Sequence, residues 1–165
     1  MNVLRMTLAT LLVAVTTLAG APALAADAAT LARQVAVQTY QVRIETAMRV
    51  YDEGTSEYRQ RARDGLDALS GPMDTLLKDL AGRDATAGAA AATHWREMSG
   101  ALRGSRDHGA GILATGYDAR VYADFDDNGQ QLMVLIDKTY KLGEGTPEQR
   151  AWLLAARVVA NYILV

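Results

Sequence analysis

The feature that most limits the fold of this chain is where glycine and proline do not occur. Residues 27 to 51 contain neither, and most of them are good helix formers. Within the stretch, Val37, Tyr40, Ile44, Met48 and Tyr51 recur at spacings of three and four, which places them on one helical face. Leu31, Val35, Gln38 and Val42 make an adjoining stripe. A helix with two apolar stripes packs against more than one neighbour. The run Asp52-Glu53-Gly54-Thr55-Ser56 reads as a turn, with Gly54 as a left-handed stop and Thr55 or Ser56 as the next cap.

A second helical segment runs from about Ser56 to Leu80, with Tyr58, Ala62, Leu66, Leu69, Met73, Leu76 and Leu80 as its stripe. Ser70-Gly71-Pro72 interrupts it, because Pro72 lacks an amide donor and disfavours helical geometry at Gly71. The segment is either one kinked helix or two helices. Gly82-Arg83-Asp84 ends it, and the alanine-rich residues 85 to 92 lead into a third helix through His94, Trp95, Met98 and Leu102. The glycines that follow predict a loop over about 104 to 111, since each interior glycine costs a helix about 1 kcal/mol against alanine.

Residues 117 to 142 support two readings. Asp127-Asn128-Gly129 lies between the apolar runs around Phe125 and Leu135, and Asn-Gly in that setting signals a hairpin. Alternatively, Val121, Phe125, Leu132, Leu135, Thr139 and Leu142 share a helical face. The helical reading is preferred because the neighbouring elements are helices that need a partner. After Gly143-Glu144-Gly145, Thr146-Pro147-Glu148-Gln149 combines an N-cap threonine, a first-turn proline and a glutamine at the capping-box position. The helix it opens is apolar nearly all round from Ala151 to Val165, and is expected to sit centrally in the core or to bury a face against another chain. The expected fold is mainly α, an antiparallel bundle of four to five helices. The alternative is an α+β fold with a hairpin at about 119 to 137.

Composition narrows the function classes. The 165 residues are half apolar, with 17 Lys+Arg against 19 Asp+Glu and no cysteine. That balance excludes a disordered chain and argues against nucleic acid as a partner. Lack of cysteine excludes a disulfide framework and any thiolate chemistry. Residues 1 to 25 read as a cleaved secretory signal: Arg5 gives the positive start, Leu8 to Leu18 the apolar stretch, and Ala23-Leu24-Ala25 the small-residue exit. That apolar stretch is shorter than the ~20 residues a membrane span needs. The expected domain is then 26 to 165, in a periplasm or secreted, with no membrane span after cleavage.

Candidate sites are few. Arg43, Arg49, Arg150 and Arg157 fall in the most apolar parts of the first and last helices. Buried arginine must find an anion or a carboxylate. They form a ligand site between those helices, or internal ion pairs with Glu45, Asp52 or Glu148, or they snorkel to the surface. Asp124-Phe125-Asp126-Asp127-Asn128-Gly129 matches the first half of a calcium loop, so Asp124, Asp126 and Asn128 are candidate metal ligands. Its twelfth position is Leu135 rather than glutamate, which favours a solvated acidic turn. No cofactor is expected, with calcium the alternative. His94 and His108 lie in no recognised ligand spacing, although His108 has a carboxylate beside it at Asp107. The serines at 56, 70, 99 and 105 stand in no nucleophile elbow, and there is neither a phosphate loop nor a dinucleotide fingerprint.

Two stretches resemble known families. The run from Gln149 to Arg157 resembles the arginine-bearing helix of periplasmic four-helix-bundle sensor domains, of the type at the N-terminus of type IV pilus chemotaxis transducers. It shares the Gln-Arg start, an apolar middle and a later arginine, while the spacing departs. The resemblance, over residues 147 to 162, implies a ligand-responsive bundle. Thr146 to Arg150 looks like the L-T-x-x-Q motif of small periplasmic helical stress chaperones, with Gly145 in place of the leucine and one copy in place of two. The leading expectation is an exported, non-catalytic bundle that binds a partner protein or ligand, or associates with itself through its last helix. A ligand- or metal-responsive sensor, a small stress chaperone and an envelope hydrolase using carboxylates are the alternatives.

Overall fold

The computed structural model describes residues 27–51 and 56–163. The expected signal segment, residues 1 to 25, and all but Ser56 of the expected turn at 52 to 56 lie outside these described residues. Six α-helices and no strand are found among them. We label the helices α1 (Ala28–Tyr51), α2 (Ser56–Arg83), α3 (Ala85–Arg103), α4 (Ile112–Thr115), α5 (Ala119–Tyr140) and α6 (Pro147–Ile163). The four long helices α1, α2, α3 and α5 form a closed ring in which each packs on the next and α5 returns to α1. The sixth helix lies outside this ring, against α1. The mainly α bundle is the expected class, and the hairpin alternative does not occur: residues 119 to 140 form one helix.

Local chemistry explains the boundaries. A single residue, Asp84, links α2 to α3. Its backbone is extended, and its side chain accepts the amide of Ala87 at 3.0 Å. Gly88 sits where the two helices cross closest; a Cβ there would lie 2.4 Å from the Cα of Ala81. Further along, Arg103 pairs with Asp67, so α2 and α3 diverge from the link as antiparallel neighbours. Pro72 lies within the continuous helix α2. The glycine-rich loop appears as expected. Gly104 and Gly111 both have positive φ, 96° and 75°, and touch backbone to backbone, so a side chain at either is excluded twice over. Asp118 caps α5 by accepting the amides of Arg120 and Val121. Thr146 and Gln149 form the reciprocal capping box: each backbone N–H is bonded to the other's side-chain oxygen, at 3.0 and 3.3 Å.

The core follows the apolar stripes with two adjustments. On α2, Ala62, Leu66, Leu69, Met73, Leu76 and Leu80 are all buried. On α5 the buried face is Phe125, Gly129, Leu132, Met133, Ile136 and Tyr140, while Leu135 and Thr139 are only half-buried. The expected face was therefore rotated from the real one. Tyr140 donates its hydroxyl to Asp79 at 2.8 Å and tethers the end of α5 to α2 across the ring.

The larger adjustment concerns which helix is central. It is α1, covered by α2, α5 and α6, that buries residues all round, including Thr39, Arg43, Glu45, Thr46 and Arg49. The last helix is peripheral. It buries Ala160 and half-buries Leu153, Ala156 and Val159, but leaves Leu154 62 % and Val158 56 % exposed. No described helix is long and apolar enough to cross a membrane.

The α2–α3 crossing yields a contrast between two glycines. Gly88→Ala gains helix propensity but must push apart two backbones, at a typical overpacking cost of about 1–3 kcal/mol. It should lower the urea midpoint. Gly82→Ala, which meets nothing within 4 Å, should leave the midpoint unchanged or raise it.

Candidate functional site

The best-defined polar contact joins α1 to α5. Arg43 is 1 % exposed, and its Nη2 and Nε lie 2.5 and 3.2 Å from Oδ1 of Asp126. The other carboxylate oxygen of Asp126 accepts from Gln130 at 2.7 Å. Gly129 makes this possible. A Cβ there would lie 3.2 Å from Cδ of Arg43 and 3.5 Å from Sδ of Met98, so glycine lets the arginine stem and α3 close on α5 together. Asn128-Gly129 is thus a notch in a helix rather than a hairpin turn. A buried charge left without its partner costs about 3–5 kcal/mol, so this pair fixes the register between α1 and α5.

The structure divides the four candidate arginines. Arg43 and Arg157 line one groove of about 120 Å³ between α1, α5 and α6. Tyr40, Met133, Asp137 and Leu153 also line it. Arg157 is exposed and forms no ion pair among the described residues. Asp137 accepts the amide of Leu142 at 3.2 Å and forms no ion pair there either. Burial pushes the Tyr40 phenol above its usual range and the nearby Asp137 charge adds to this, while Arg157 and Arg43 pull the other way. Arg49 is not in the groove. It is buried further along α1, its Nε without a hydrogen-bond partner and its Nη2 close to Gly116. Arg150 is exposed at the start of α6. None of the four pairs with Glu45 or Glu148, and Asp52 lies outside the described residues.

The candidate metal ligands lie along a helix and not in a loop. Asp126 faces Arg43. Asn128 contacts His94 Nδ1 through Oδ1 at 2.9 Å and donates to the carbonyl of Asp124 at 2.7 Å. Asp124 has its Oδ2 3.5 Å from His108 Nε2. A calcium loop curls its oxygens round one point, and the helical rise spreads these three along an axis. No group of three or more His, Asp or Glu among the described residues is disposed to hold a metal ion.

Both histidines therefore belong to the α3–α5 seam. His108 also has Nδ1 2.9 Å from Ser105 Oγ, and that oxygen accepts the His108 amide at 3.2 Å. Hydroxyl, imidazole and carboxylate thus stand in line. The hydroxyl and the ring nitrogen face Gly100, where a Cβ would crowd them at 3.4 and 3.5 Å. The arrangement links the glycine loop to α5 through His108 and Asp124.

Sequence reasoning missed Tyr40 and Asp137 as groove residues, because only the docking of α6 brings them beside Arg157. It also missed the state of Glu45. This carboxylate is 3 % exposed and neither oxygen has a hydrogen-bond partner among the described residues. Burial pushes its pKa up to about 7; Arg61 opposes the shift and Glu57 adds to it. No family model, curated protein or solved structure matches this chain.

Glu45 sets a pH dependence. Its folded pKa lies above the ordinary value of 4.5. Its neutral form is compatible with burial at low pH, and stability is lost as pH rises from that ordinary value through about 7. Glu45→Gln should flatten that slope, leaving stability near pH 4 little changed. At pH 8 it should stabilise by about 3 kcal/mol, the shift converted at 1.36 kcal/mol per unit. Denaturant titrations at the two pH values check this.

Proposed function

We propose that this chain is an exported, periplasmic, non-catalytic bundle that acts by binding a partner protein through the outward face of α6. One observation carries the reading: Leu154 and Val158 stand exposed on a helix whose opposite face is already docked on α1. With exposed Ala151 they form a stripe at spacings of three and four, which is the seam another helix packs into. Contiguous exposed apolar residues on a rigid element mark interaction surfaces.

Charge selects the occupant. Arg150 and Arg157 flank the stripe on one side, seven residues apart, and neither is paired among the described residues. A second copy packed antiparallel on this seam would set arginine against arginine. A partner helix with an apolar seam and acidic flanks satisfies both features. Export rests on the pattern of residues 1 to 25. Mass spectrometry of protein recovered from the periplasm should give a chain beginning at Ala26.

Leu154→Asp tests the surface. Because Leu154 is exposed, the variant should keep its helical circular dichroism and its melting temperature. A synthetic amphipathic helix with leucine at the seam and glutamate at the flanks should bind the wild type and not the variant. The same helix with lysine flanks should bind neither. Equal binding of both peptides overturns the charge argument. A wild-type dimer in light scattering that Leu154→Asp makes monomeric assigns the face to a second copy.

A further inference from the structure

We infer that the groove between α1, α5 and α6 is a binding site for a free α-amino acid with an apolar side chain. This site borders the partner face and shares Arg157 with it, but neither Leu154 nor Val158 lines the groove. The groove holds opposite charges that do not neutralise each other. Arg157 on α6 and Asp137 on α5 both line it and form no ion pair together. Two opposite charges that line one groove without pairing suit a ligand that carries both a carboxylate and an ammonium group.

The remaining lining agrees with that ligand. The phenol of Tyr40 forms no hydrogen bond among the described residues, so its hydroxyl is available to a bound polar group. Arg43, also in the lining, is committed to Asp126 and contributes a fixed wall rather than a free charge. Met133 and Leu153 give apolar surface for a side chain. The groove is small, about 120 Å³, which suits a small molecule. Small-molecule sites combine apolar walls with a few placed polar groups in this way.

The test uses the full chain and three related probes at millimolar concentration: L-leucine, 4-methylpentanoate, which lacks the ammonium group, and 3-methylbutan-1-amine, which lacks the carboxylate. A ligand that prefers the folded state raises its melting temperature. Leucine should raise it, and the acid and the amine should not. By calorimetry, Arg157→Gln and Asp137→Asn should each weaken leucine binding about tenfold or more, the loss expected for one charge-assisted contact. The amide oxygen introduced by Asp137→Asn can still accept the Leu142 N–H, and Arg157 is exposed, so both variants should fold, as circular dichroism will show. Leu154→Asp should bind leucine like the wild type, which separates this site from the partner face. The inference is overturned if leucine leaves the melting temperature unchanged, if the acid or the amine matches it, or if both charge variants bind it undiminished.

Discussion

The buried pair of Arg43 and Asp126 is the contact on which the arrangement of helices depends. Burying a guanidinium is costly, and only a well-placed carboxylate makes it tolerable. Apolar faces can slide past one another with small penalties, but this pair cannot be satisfied in another register. It sits beside Gly129, where a Cβ would lie 3.2 Å from Cδ of Arg43, and Met98 of α3 is in contact with the same glycine position. Around it, Thr39 and Thr46 satisfy their buried hydroxyls on carbonyls of their own helix, at 2.8 and 2.7 Å. The interior of α1 thus carries polar groups that are satisfied locally, one ion pair that is satisfied at long range, and one carboxylate, Glu45, that has no hydrogen-bond partner among the described residues.

That last group pulls against the rest. Natural folds satisfy nearly all buried polar groups, and an unpartnered carboxylate between α1 and α2 makes the bundle less stable as it ionises. The seam of His94 with Asn128 and of His108 with Ser105 and Asp124 does the opposite: it uses short polar contacts to tie α3 and an otherwise glycine-loosened loop to α5. The α3–α5 side is therefore pinned by hydrogen bonds, while the α1–α2 side depends on apolar packing and on the protonation of one residue.

How much of this was legible in the sequence follows from the range of the signals. The long helices were visible because periodicity is local, and so were Asp84, Thr146 and the glycine loop, because caps and turns act within a few residues. The stripe of α2 was read almost residue for residue. Asn128-Gly129 was ambiguous because its glycine serves a contact with Arg43, eighty-six positions away in the chain, which no local pattern reports. The site arginines were found as a type, since arginine in an apolar helix demands an anion, but which of them converge depends on where α6 docks. Arg43 and Arg157 meet in the groove; Arg49 and Arg150 do not.

Apolar content allows the last helix either a central place in the core or a face buried against another chain. The first does not occur: α6 is peripheral, and α1, with its threonines, arginines and glutamate, is the helix enclosed. A helix needs enclosure when it has more than one face to bury, and α1 has two stripes. Its ring neighbours α2 and α5 cover only part of it, and α6 serves as an outer cover. One face of α6 suffices for that, and Ala160 with half-buried Leu153, Ala156 and Val159 supplies it. The leucine and valine on the opposite face add nothing to this chain's own core. Polar residues there would serve the fold equally well, and it is on the apolar character of this face that the proposed partner seam rests.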